Sequence, residues 1–451
     1  MTDLIHKFFL NDKYIVLDIY GGSLHIVDEI AYNIIDDAYD MSIDKILEKY
    51  EDKYDKKDIK ETYDEIISLR DEGYLFTEKV KKEEVKYHPS NIIKAMCLHV
   101  SHDCDLRCRY CFASQGDFKG HRGLMSYEVG KRALDFLVEN ARFRKNLEVD
   151  FFGGEPLLNF PVIKKLVEYG HQLNEKHNKN IRFTITTNGM QLDDEKIDFI
   201  NENMVNVVMS LDGRKSVNDN MRPTINNKGS YDIIVPKFKK LIEKRGNKDY
   251  YIRGTFTSKN LDFMKDAMSF YDEGFKNISI EPVVTDMKKS YALREEHLET
   301  VLQEYERFSK EYIKIKKRGE DFHFFHYMID LDEGPCLAKR SVGCGAGTEY
   351  ISVTPSGDIY PCHQFVGEKK FILGNIYEGI KNREIPKEFS SANVFVKEDC
   401  SKCWAKFYCS GGCHANAYYN NNTIHKPFKL GCEMEKKRVE CAISILANLN
   451  D

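Results

Sequence analysis

Three cysteines stand close together in the stretch 101–112, Ser-His-Asp-Cys-Asp-Leu-Arg-Cys-Arg-Tyr-Cys-Phe, just after an apolar run. Cys104, Cys108 and Cys111, here called the cysteine trio, lie within eight residues, so their thiolates can bind one iron–sulfur cube. Cysteine normally ligates each iron of such a cluster, and three cysteines leave one iron of the four without a protein ligand. An iron with an open position can bind and react with a small molecule. The alternative is a zinc knuckle or a group of buried thiols.

The bulk composition is that of a globular protein. The 451 residues are a prior for about three domains, and 42% of them are apolar and 31% charged. A net charge of −5 argues against general nucleic-acid binding. No apolar run is long enough to span a bilayer, and the start has no secretion signal. Thirteen cysteines then indicate metal binding in the cytoplasm rather than disulfides.

The first 80 residues predict a small module of strands and helices. Three apolar runs are separated by hairpin signals and followed by three helical periods, which suggests antiparallel strands in a winged-helix-like domain. The runs are 5–10, 14–20 and 24–27, and the helical periods are 28–39, 42–50 and 58–72. Residues 1–77 hold 9 Lys and Arg against 19 Asp and Glu, a balance that would repel DNA.

Strand and helix patterns alternate beyond a charge-dense linker at 81–94. Six apolar runs are each followed by a helical period, which implies an α/β fold with an all-parallel sheet and right-handed crossovers. The runs are 95–100, 147–152, 182–186, 206–210, 251–256 and 278–282, and the helices include 127–140, 161–178, 193–203 and 261–274. We expect residues 95–318 to form a partial six-stranded (β/α) barrel, with a long helix at 294–317 and chemistry on the loops after the strands.

Residues 319–451 hold nine of the thirteen cysteines. They are Cys336, Cys344, Cys362, Cys400, Cys403, Cys409, Cys413, Cys432 and Cys441. A hairpin is expected at 350–360, and helical periodicity is weak until 432–447, so we expect metal to supply much of this module's stability. Cys441 and Cys97, on the last helix and the first barrel strand, are predicted to be buried apolar thiols.

Polar motifs follow the later barrel strands, as the cysteine trio follows the first. They are Gly153-Gly154-Glu155-Pro156 after the second strand, Asn188 after the third, Ser210 and Asp212 after the fourth, and Arg222 beyond them. Glycines at such a turn expose backbone carbonyls to an ammonium group. Arg222 is either a bidentate carboxylate ligand or part of a surface salt bridge.

The spacing CxxxCxxC, with Tyr110 before the last cysteine, resembles the radical S-adenosylmethionine (radical SAM) enzymes, and so does the Gly-Gly-Glu-Pro segment. The resemblance implies a 4Fe–4S cluster on the cysteine trio, whose open iron binds the amino and carboxylate groups of S-adenosylmethionine. One electron releases a 5′-deoxyadenosyl radical, which abstracts a hydrogen atom from the substrate. By the same resemblance, Gly153, Gly154 and Glu155 bind the ammonium end, Tyr110 contacts adenine, Asn188, Ser210 and Asp212 border the cofactor, and Arg222 holds its carboxylate.

The later cysteines resemble the SPASM domain. Cys344, Gly357 and Cys362 are followed by C-x2-C-x5-C-x3-C at 400–413 and by Cys432. The resemblance implies two auxiliary 4Fe–4S clusters, and therefore three clusters in all. By position, the first uses Cys336, Cys344, Cys362 and Cys413, and the second uses Cys400, Cys403, Cys409 and Cys432. If Cys336 does not bind, the first has an open iron for a substrate thiolate. A zinc ribbon is the alternative at Cys400 and Cys403.

The order of the three modules resembles maturases of ribosomally made peptides, in which the first module recognises the precursor. The resemblance implies that a leader adds as a strand to the edge formed by Leu24, His25, Ile26 and Val27, beside the helix 58–72. Within that group the chain is most similar to the maturases of SCIFF peptides. The implied reaction joins a cysteine sulfur of a Cys-rich precursor to the α-carbon of another residue, and an auxiliary cluster accepts the remaining electron. The implied partners are that peptide and a donor such as ferredoxin or flavodoxin, with no nucleic acid or membrane.

Three alternatives remain at this point. An anaerobic sulfatase-maturing enzyme, which makes formylglycine, is similar over 95–451 but lacks the first module and carries an acidic residue where this chain has His363. A maturase that epimerises residues or forms carbon–carbon bonds is the second. The third is an iron–sulfur redox-sensing regulator with a DNA-binding head, which the acidic first module argues against.

Overall fold

Two β-sheets organise the chain in a computed structural model that describes residues 3–79, 92–329, 331 and 341–450. The smaller sheet and its helices form the first module: β1 (Ile5–Leu10), β2 (Lys13–Asp18), β3 (Leu24–Val27), α1 (Glu29–Ala38), α2 (Ile43–Tyr50) and α3 (Lys56–Asp71). The strands pair antiparallel in the order β1-β2-β3, as predicted. Asn11 and Asp12 turn the first hairpin with φ of 50° and 62°, a conformation that these residue types tolerate.

The larger sheet contains the six predicted parallel strands in chain order. They are β4 (Ala95–Ser101), β5 (Asn146–Gly153), β6 (Asn180–Thr187), β7 (Met204–Ser210), β8 (Tyr250–Phe256) and β9 (Asn277–Pro282). The helices are α4 (Tyr127–Asn140), α5 (Phe160–His177), α6 (Asp194–Asn203), α7 (Lys215–Met221), α8 (Tyr231–Arg245), α9 (Phe263–Asp272) and α10 (Leu298–Lys317). The alternation along β5 shows the layering, since Val149 and Phe151 are fully buried while Asp150 and Phe152 are only partly buried. The predicted partial (β/α) barrel is confirmed.

The sheet extends beyond these six strands at both ends, which the sequence did not predict. The added strands are β10 (His323–Phe324), β11 (Tyr350–Val353), β12 (Asp358–Tyr360), β13 (Gly374–Asn375) and β14 (Gly379–Ile380). The predicted hairpin β11–β12 joins the barrel because β11 pairs parallel with β4, Ser352 standing opposite Cys97. The cysteine-rich module therefore shares a sheet with the strand that precedes the cysteine trio.

Short helices fill the cysteine-rich module, contrary to the expectation of weak helical content before residue 432. They are α11 (Glu384–Ser391), α12 (Glu398–Ser401), α13 (Lys406–Cys409) and α14 (His414–Asn421), followed by the long α15 (Lys429–Leu449). Helices of four to eight residues are too short to show a helical period in the sequence. None of the described helices is long and apolar enough to cross a membrane.

The first module packs on the two longest helices of the rest of the chain. The side-chain amide of Asn11 donates to Ser309 Oγ on α10 and to Ser444 Oγ on α15, each at 3.0 Å. All three residues are buried. The hairpin turn of the first sheet is thus a docking contact, held by hydrogen bonds that solvent does not reach.

Candidate active site

The loop that carries the cysteine trio starts where β4 ends and is tied to the segment after α7. The N–H of Arg107 donates to Pro223 O at 2.8 Å, and that of Arg109 donates to Met221 O at 2.9 Å. Inside the loop, the N–H of Cys111 donates to Cys108 O at 3.2 Å. The structure therefore brings the trio and the neighbourhood of Arg222 together, although about a hundred residues separate them in the sequence.

The two glycines after β5 are required by close backbone packing. A β-carbon on Gly153, whose φ is 133°, would lie 2.1 Å from Ser101 O, and one on Gly154 would lie 2.1 Å from Asp103 O. The N–H of Gly154 donates to Ser101 O at 2.8 Å. The Gly-Gly pair therefore fixes the strand end against the trio's loop, a role that the sequence did not reveal.

Glu155 is a fully buried carboxylate that links three strand ends. It accepts hydrogen bonds from Thr187 Oγ1 at 2.8 Å and from the N–H of Asn188 at 2.8 Å. Burial, reinforced by the charge of Asp105, raises its pKa to about 8. The Asn188 amide in turn donates to Asp105 at 2.7 Å and to Cys104 Sγ at 3.6 Å. Asn188 thereby contacts the trio directly.

Tyr110, Asp212 and Arg222 form a second hydrogen-bonded group beside the trio. The Tyr110 hydroxyl donates to Asp212 Oδ2 at 2.7 Å, and Arg222 Nη1 donates to the Tyr110 hydroxyl at 2.9 Å. Burial raises the pKa of Asp212 to about 6, while Arg222 opposes that shift. Arg222 is only 7% exposed, so the surface salt bridge considered for it is wrong. Ser210, by contrast, ends β7 in register with Arg253 of β8.

The inner face of the barrel carries charged residues that the sequence analysis missed. Glu281 at the end of β9 pairs with His326 Nε2 at 3.1 Å, and Arg438 of α15 donates to His326 Nδ1 at 2.8 Å. Arg253 of β8 lies near enough to lower the pKa of Glu281 and of His363. Arg253 and Glu281 alternate with apolar residues at their strand ends, and that alternation was the available signal.

His363 also faces this interior, directly after Cys362. Its ring lies 5.1 Å from the ring of Phe152 and 5.5 Å from that of Phe112, which follows the trio. Its Nδ1 is 3.2 Å from the hydroxyl of Tyr350. Burial, with Arg253 adding to it, lowers the pKa of His363 to about 4, so the imidazole is neutral at neutral pH. The cysteine-rich module thus contributes a titratable group to the barrel interior.

The later cysteines separate into two sets. Cys344, Cys362 and Cys413 form the first auxiliary set: burial raises the pKa of Cys362, and the other two thiols add to the shift. Cys336, predicted to be its fourth member, lies outside the described residues. Cys97 and Cys441 are fully buried, as predicted.

Cys400, Cys403, Cys409 and Cys432 form the second auxiliary set and line one cavity of about 660 Å³. Burial, with the other thiols adding to it, raises the pKa of Cys409 to about 11 and that of Cys432 to about 12. Within the described ranges, no three His, Cys, Asp or Glu converge closely enough for a single metal ion. Four thiols around one cavity fit a larger iron–sulfur group, whose positive irons would offset the charge of the crowded thiolates.

The first module contacts the second auxiliary set. The His6 ring stacks on Trp404 at 3.7 Å, and Lys406 Nζ donates to the Tyr20 hydroxyl at 2.8 Å. On the opposite side of the module, β3 pairs only with β2 among the described strands. His25 bonds to the carbonyl of Tyr74, which follows α3, at 3.0 Å, and Ile26 is 45% exposed. Among the described residues, β3 is therefore an edge strand of the smaller sheet.

Known proteins match both parts of this site. The family model of the radical SAM superfamily matches residues 98–257, and that of the iron–sulfur cluster-binding SPASM domain matches residues 344–404. An uncharacterized protein of Methanocaldococcus jannaschii is 30% identical over 318 residues, which are 70% of this chain and 99% of the relative. The chain belongs to the radical SAM superfamily. This radical SAM enzyme accordingly binds S-adenosylmethionine and 4Fe–4S clusters.

Three further similarities extend the comparison. A cysteine-type anaerobic sulfatase-maturating enzyme of Clostridium novyi is 26% identical, over 77% of this radical SAM enzyme and 94% of the relative. Among solved structures, anSMEcpe with bound AdoMet has a TM-score of 0.66 at 22% identity, over 79% of this chain and 98% of that one. Streptococcus suis SuiB bound to precursor peptide SuiA has a TM-score of 0.53 at 16% identity, over 95% and 99%. Both structures share its fold.

Proposed function

We propose that this enzyme matures a ribosomally made, Cys-rich precursor peptide by joining cysteine sulfurs to α-carbons. The observation that carries the proposal is the first module, which presents β3 as an open strand edge while it packs against the second auxiliary set. A peptide leader can add to such an edge through main-chain hydrogen bonds. The leader would then be anchored on the same body that carries the chemistry.

Relatives support a peptide substrate. The likeness to SuiB, bound to its precursor peptide, covers 95% of this chain, a share too large to leave out the first module. The likeness to anSMEcpe covers 79%. The acidic first module, with 19 Asp and Glu against 9 Lys and Arg in residues 1–77, suits a basic leader. Leu24, His25, Ile26 and Val27 are the proposed leader contacts.

The cofactor contacts follow from the two hydrogen-bonded groups. When bound, S-adenosylmethionine and the cluster on the cysteine trio supply a carbon radical that removes a hydrogen atom from the substrate. Arg222 is held by Tyr110 and Asp212, and its Nε is buried without a hydrogen-bond partner within the described residues. That N–H is available to a carboxylate. Gly153, Gly154, Glu155, Asn188 and Ser210 are the remaining cofactor contacts that we propose.

The thioether step requires a base and an electron acceptor. For the thioether to form, the α-carbon would lose a hydrogen atom to the radical that the bound cofactor supplies and the thiol would lose its proton. Sulfur would then bond to the α-carbon, and the one remaining electron would pass to a cluster held by an auxiliary cysteine set. His363 is the base that we assign, because its imidazole is neutral and faces the barrel interior beside Phe112. In the tautomer whose Nδ1–H donates to the Tyr350 hydroxyl oxygen, Nε2 carries the lone pair that receives the proton. The two auxiliary sets hold the remaining two of three clusters.

Mass spectrometry of a modified peptide tests the proposal. The enzyme is incubated anaerobically with S-adenosylmethionine, a reductant and a Cys-rich peptide encoded beside its own gene, and the product is reduced and alkylated. We expect a loss of two hydrogens per crosslink, with one fewer alkylated cysteine each time. A His363→Asn variant should still cleave S-adenosylmethionine but crosslink at least about a hundredfold more slowly.

Other products would contradict the thioether assignment. Formylglycine formed on a sulfatase peptide would instead support the activity named for the Clostridium novyi relative. A peptide mass that is unchanged in H2O, but that rises by about one unit per modified residue in D2O because deuterium enters at the α-carbon, would indicate epimerisation. A loss of two hydrogens with every cysteine still alkylated would indicate a carbon–carbon bond.

A further inference from the structure

Lys397 is a buried cation beside both auxiliary cysteine sets. Only 2% of its surface is exposed, and its Nζ donates a hydrogen bond to the carbonyl oxygen of Gly411 at 2.8 Å. Gly411 lies in the three-residue link between Cys409 of the second set and Cys413 of the first. The ammonium group is therefore fixed at the segment that carries one ligand of each set.

The backbone of Lys397 is fixed as firmly as its side chain. Its N–H donates to Asn393 O at 3.1 Å, and its carbonyl accepts from the N–H of Ser401 at 2.9 Å. The residue directly precedes α12, which carries Cys400 of the second set. The side chain thus runs from one ligand-bearing segment to another, and rotation cannot carry the ammonium to solvent without breaking its bond to Gly411.

Burial disfavours the charged form of Lys397, and negative charge at the cysteines offsets that cost. Removing an ammonium from water is costly unless opposite charge compensates. Burial lowers the pKa of Lys397, and four thiolates oppose the shift: Cys400, Cys409, Cys413 and Cys432. Three of them belong to the second set and one to the first, so both sets act on the same cation.

We propose that Lys397 raises the reduction potentials of the clusters held by both auxiliary sets. A thiolate-bound 4Fe–4S cluster gains negative charge when it accepts an electron, and net charge nearby sets its potential. A fixed cation stabilises the reduced form more than the oxidised form. The role of the raised potential rests on the proposed function, in which the electron that leaves the peptide reduces an oxidised auxiliary cluster by one electron.

Potentiometric titration followed by electron paramagnetic resonance tests the assignment without peptide. The full-length, reconstituted enzyme is compared with Lys397→Met, which removes the charge and keeps the stem. At a fixed potential, the ratio of oxidised to reduced auxiliary clusters should rise at least tenfold, about 59 mV for a one-electron couple. The cluster on the cysteine trio should keep its potential.

Lys402→Met is the matched control. Lys402 lines the cavity of the second auxiliary set, but its side chain is 76% exposed, so solvent screens its charge. We expect this variant to change the ratio by less than about twofold. Equal shifts in both variants would contradict a specific role for Lys397, as would unchanged auxiliary potentials in Lys397→Met with full iron content.

Lys397→Arg decides the case in which Lys397→Met fails to retain iron. Arginine keeps the charge, so the inference predicts full iron content and potentials close to those of the unmodified enzyme. Loss of iron from Lys397→Arg as well would overturn the inference, because the shape of the side chain would then explain its presence. Shifted potentials without peptide crosslinking would contradict the proposed function alone.

Discussion

The cysteine trio and the second auxiliary set are built in different ways. Around the trio, the strand ends are joined by buried carboxylates, Glu155 holding the N–H of Asn188 and Asp212 holding that of Thr255 at 3.0 Å. Around the second set, short helices and one end of α15 border a cavity of about 660 Å³. The first site is fixed by the sheet, whereas the second leaves a space for the group that completes it.

The charged side chains around the two sites also differ. Carboxyl groups and the buried Arg222 lie beside the trio. Five lysines and three acidic residues line the cavity of the second set: Lys402, Lys406, Lys426, Lys429 and Lys436, with Asp399, Glu433 and Glu435. Crowded thiols with raised pKa values and nearby ammonium groups are stabilised by a bound iron–sulfur group. We infer that metal holds the second site together, while the trio's surroundings form without it.

Replacing the cysteines by alanine should reveal the largest difference between the two sites. Alanine at all three trio positions is expected to abolish S-adenosylmethionine cleavage and leave the fold intact. Alanine at all four positions of the second set should forfeit metal binding worth on the order of 10 kcal/mol, exposing residues 341–450 to protease. Iron content and limited proteolysis measure both effects. Equal protease resistance of the two variants would remove the distinction.

Acid should destabilise the iron-free protein at the segment where the trio's loop begins. Burial lowers the pKa of His102 to about 4 from its usual 6.5, and its Nε2 lies 3.2 Å from His99 Nδ1. Below about pH 6.5 the unfolded chain takes up a proton that the folded chain refuses. The free energy of unfolding should therefore fall by about 2–3 kcal/mol between pH 6.5 and 4. Urea denaturation of His102→Gln should show that much less pH dependence; an identical slope would refute the assignment.

Crowding the strand end should disturb the trio without touching a cysteine. In Gly154→Ala the new β-carbon would meet Asp103 O, and we expect a loss of about 1–3 kcal/mol in unfolding free energy together with weaker iron binding. Gly123→Ala is the control, since nothing lies within 4 Å of its β-carbon position. Iron retention by Gly154→Ala equal to that of the control would show that the loop adapts.

Removing one docking contact of the first module should have the smallest effect on the free energy of unfolding. Tyr20→Phe removes the acceptor for Lys406 Nζ, and we expect a loss of about 1–2 kcal/mol in unfolding free energy. Tyr39→Phe, at a ring that is 39% exposed, is the matched control. Thermal unfolding of the reconstituted enzyme compares them. A Tyr20→Phe variant as stable as the control would mean that this bond adds nothing to docking.

The local sequence pattern predicted most of the helices and strands, but not the contacts between residues that are distant in the chain. The six barrel strands were predicted within about two residues, because their apolar runs are bounded by clear turns. The pairing of β11 with β4 joins residues some 250 positions apart, and no local pattern encodes it. The sequence pattern did not predict the burial of Arg222 either, because that burial depends on contacts with Tyr110 and Asp212.

The candidate site was predicted by residue type and corrected by packing. The division of the later cysteines into two auxiliary sets came from the resemblance to the SPASM domain, and Cys336, which it assigned to the first set, lies outside the described residues. The sequence did not show that Gly153 and Gly154 are needed for contact with carbonyl oxygens of the trio's loop. Nor did it reveal Lys397, since a lysine in a charged stretch has no sign of burial.

Hydrogen–deuterium exchange of the iron-free and reconstituted enzyme tests the contrast most directly. The amides of Asn188 and Thr255, bonded to Glu155 and Asp212, should exchange equally slowly in both forms. Peptides covering 398–432 should exchange at least about tenfold faster without iron. Equal protection of 398–432 in the two forms, or loss of protection at Asn188 and Thr255 without iron, would contradict the claim that the sheet holds the first site and metal holds the second.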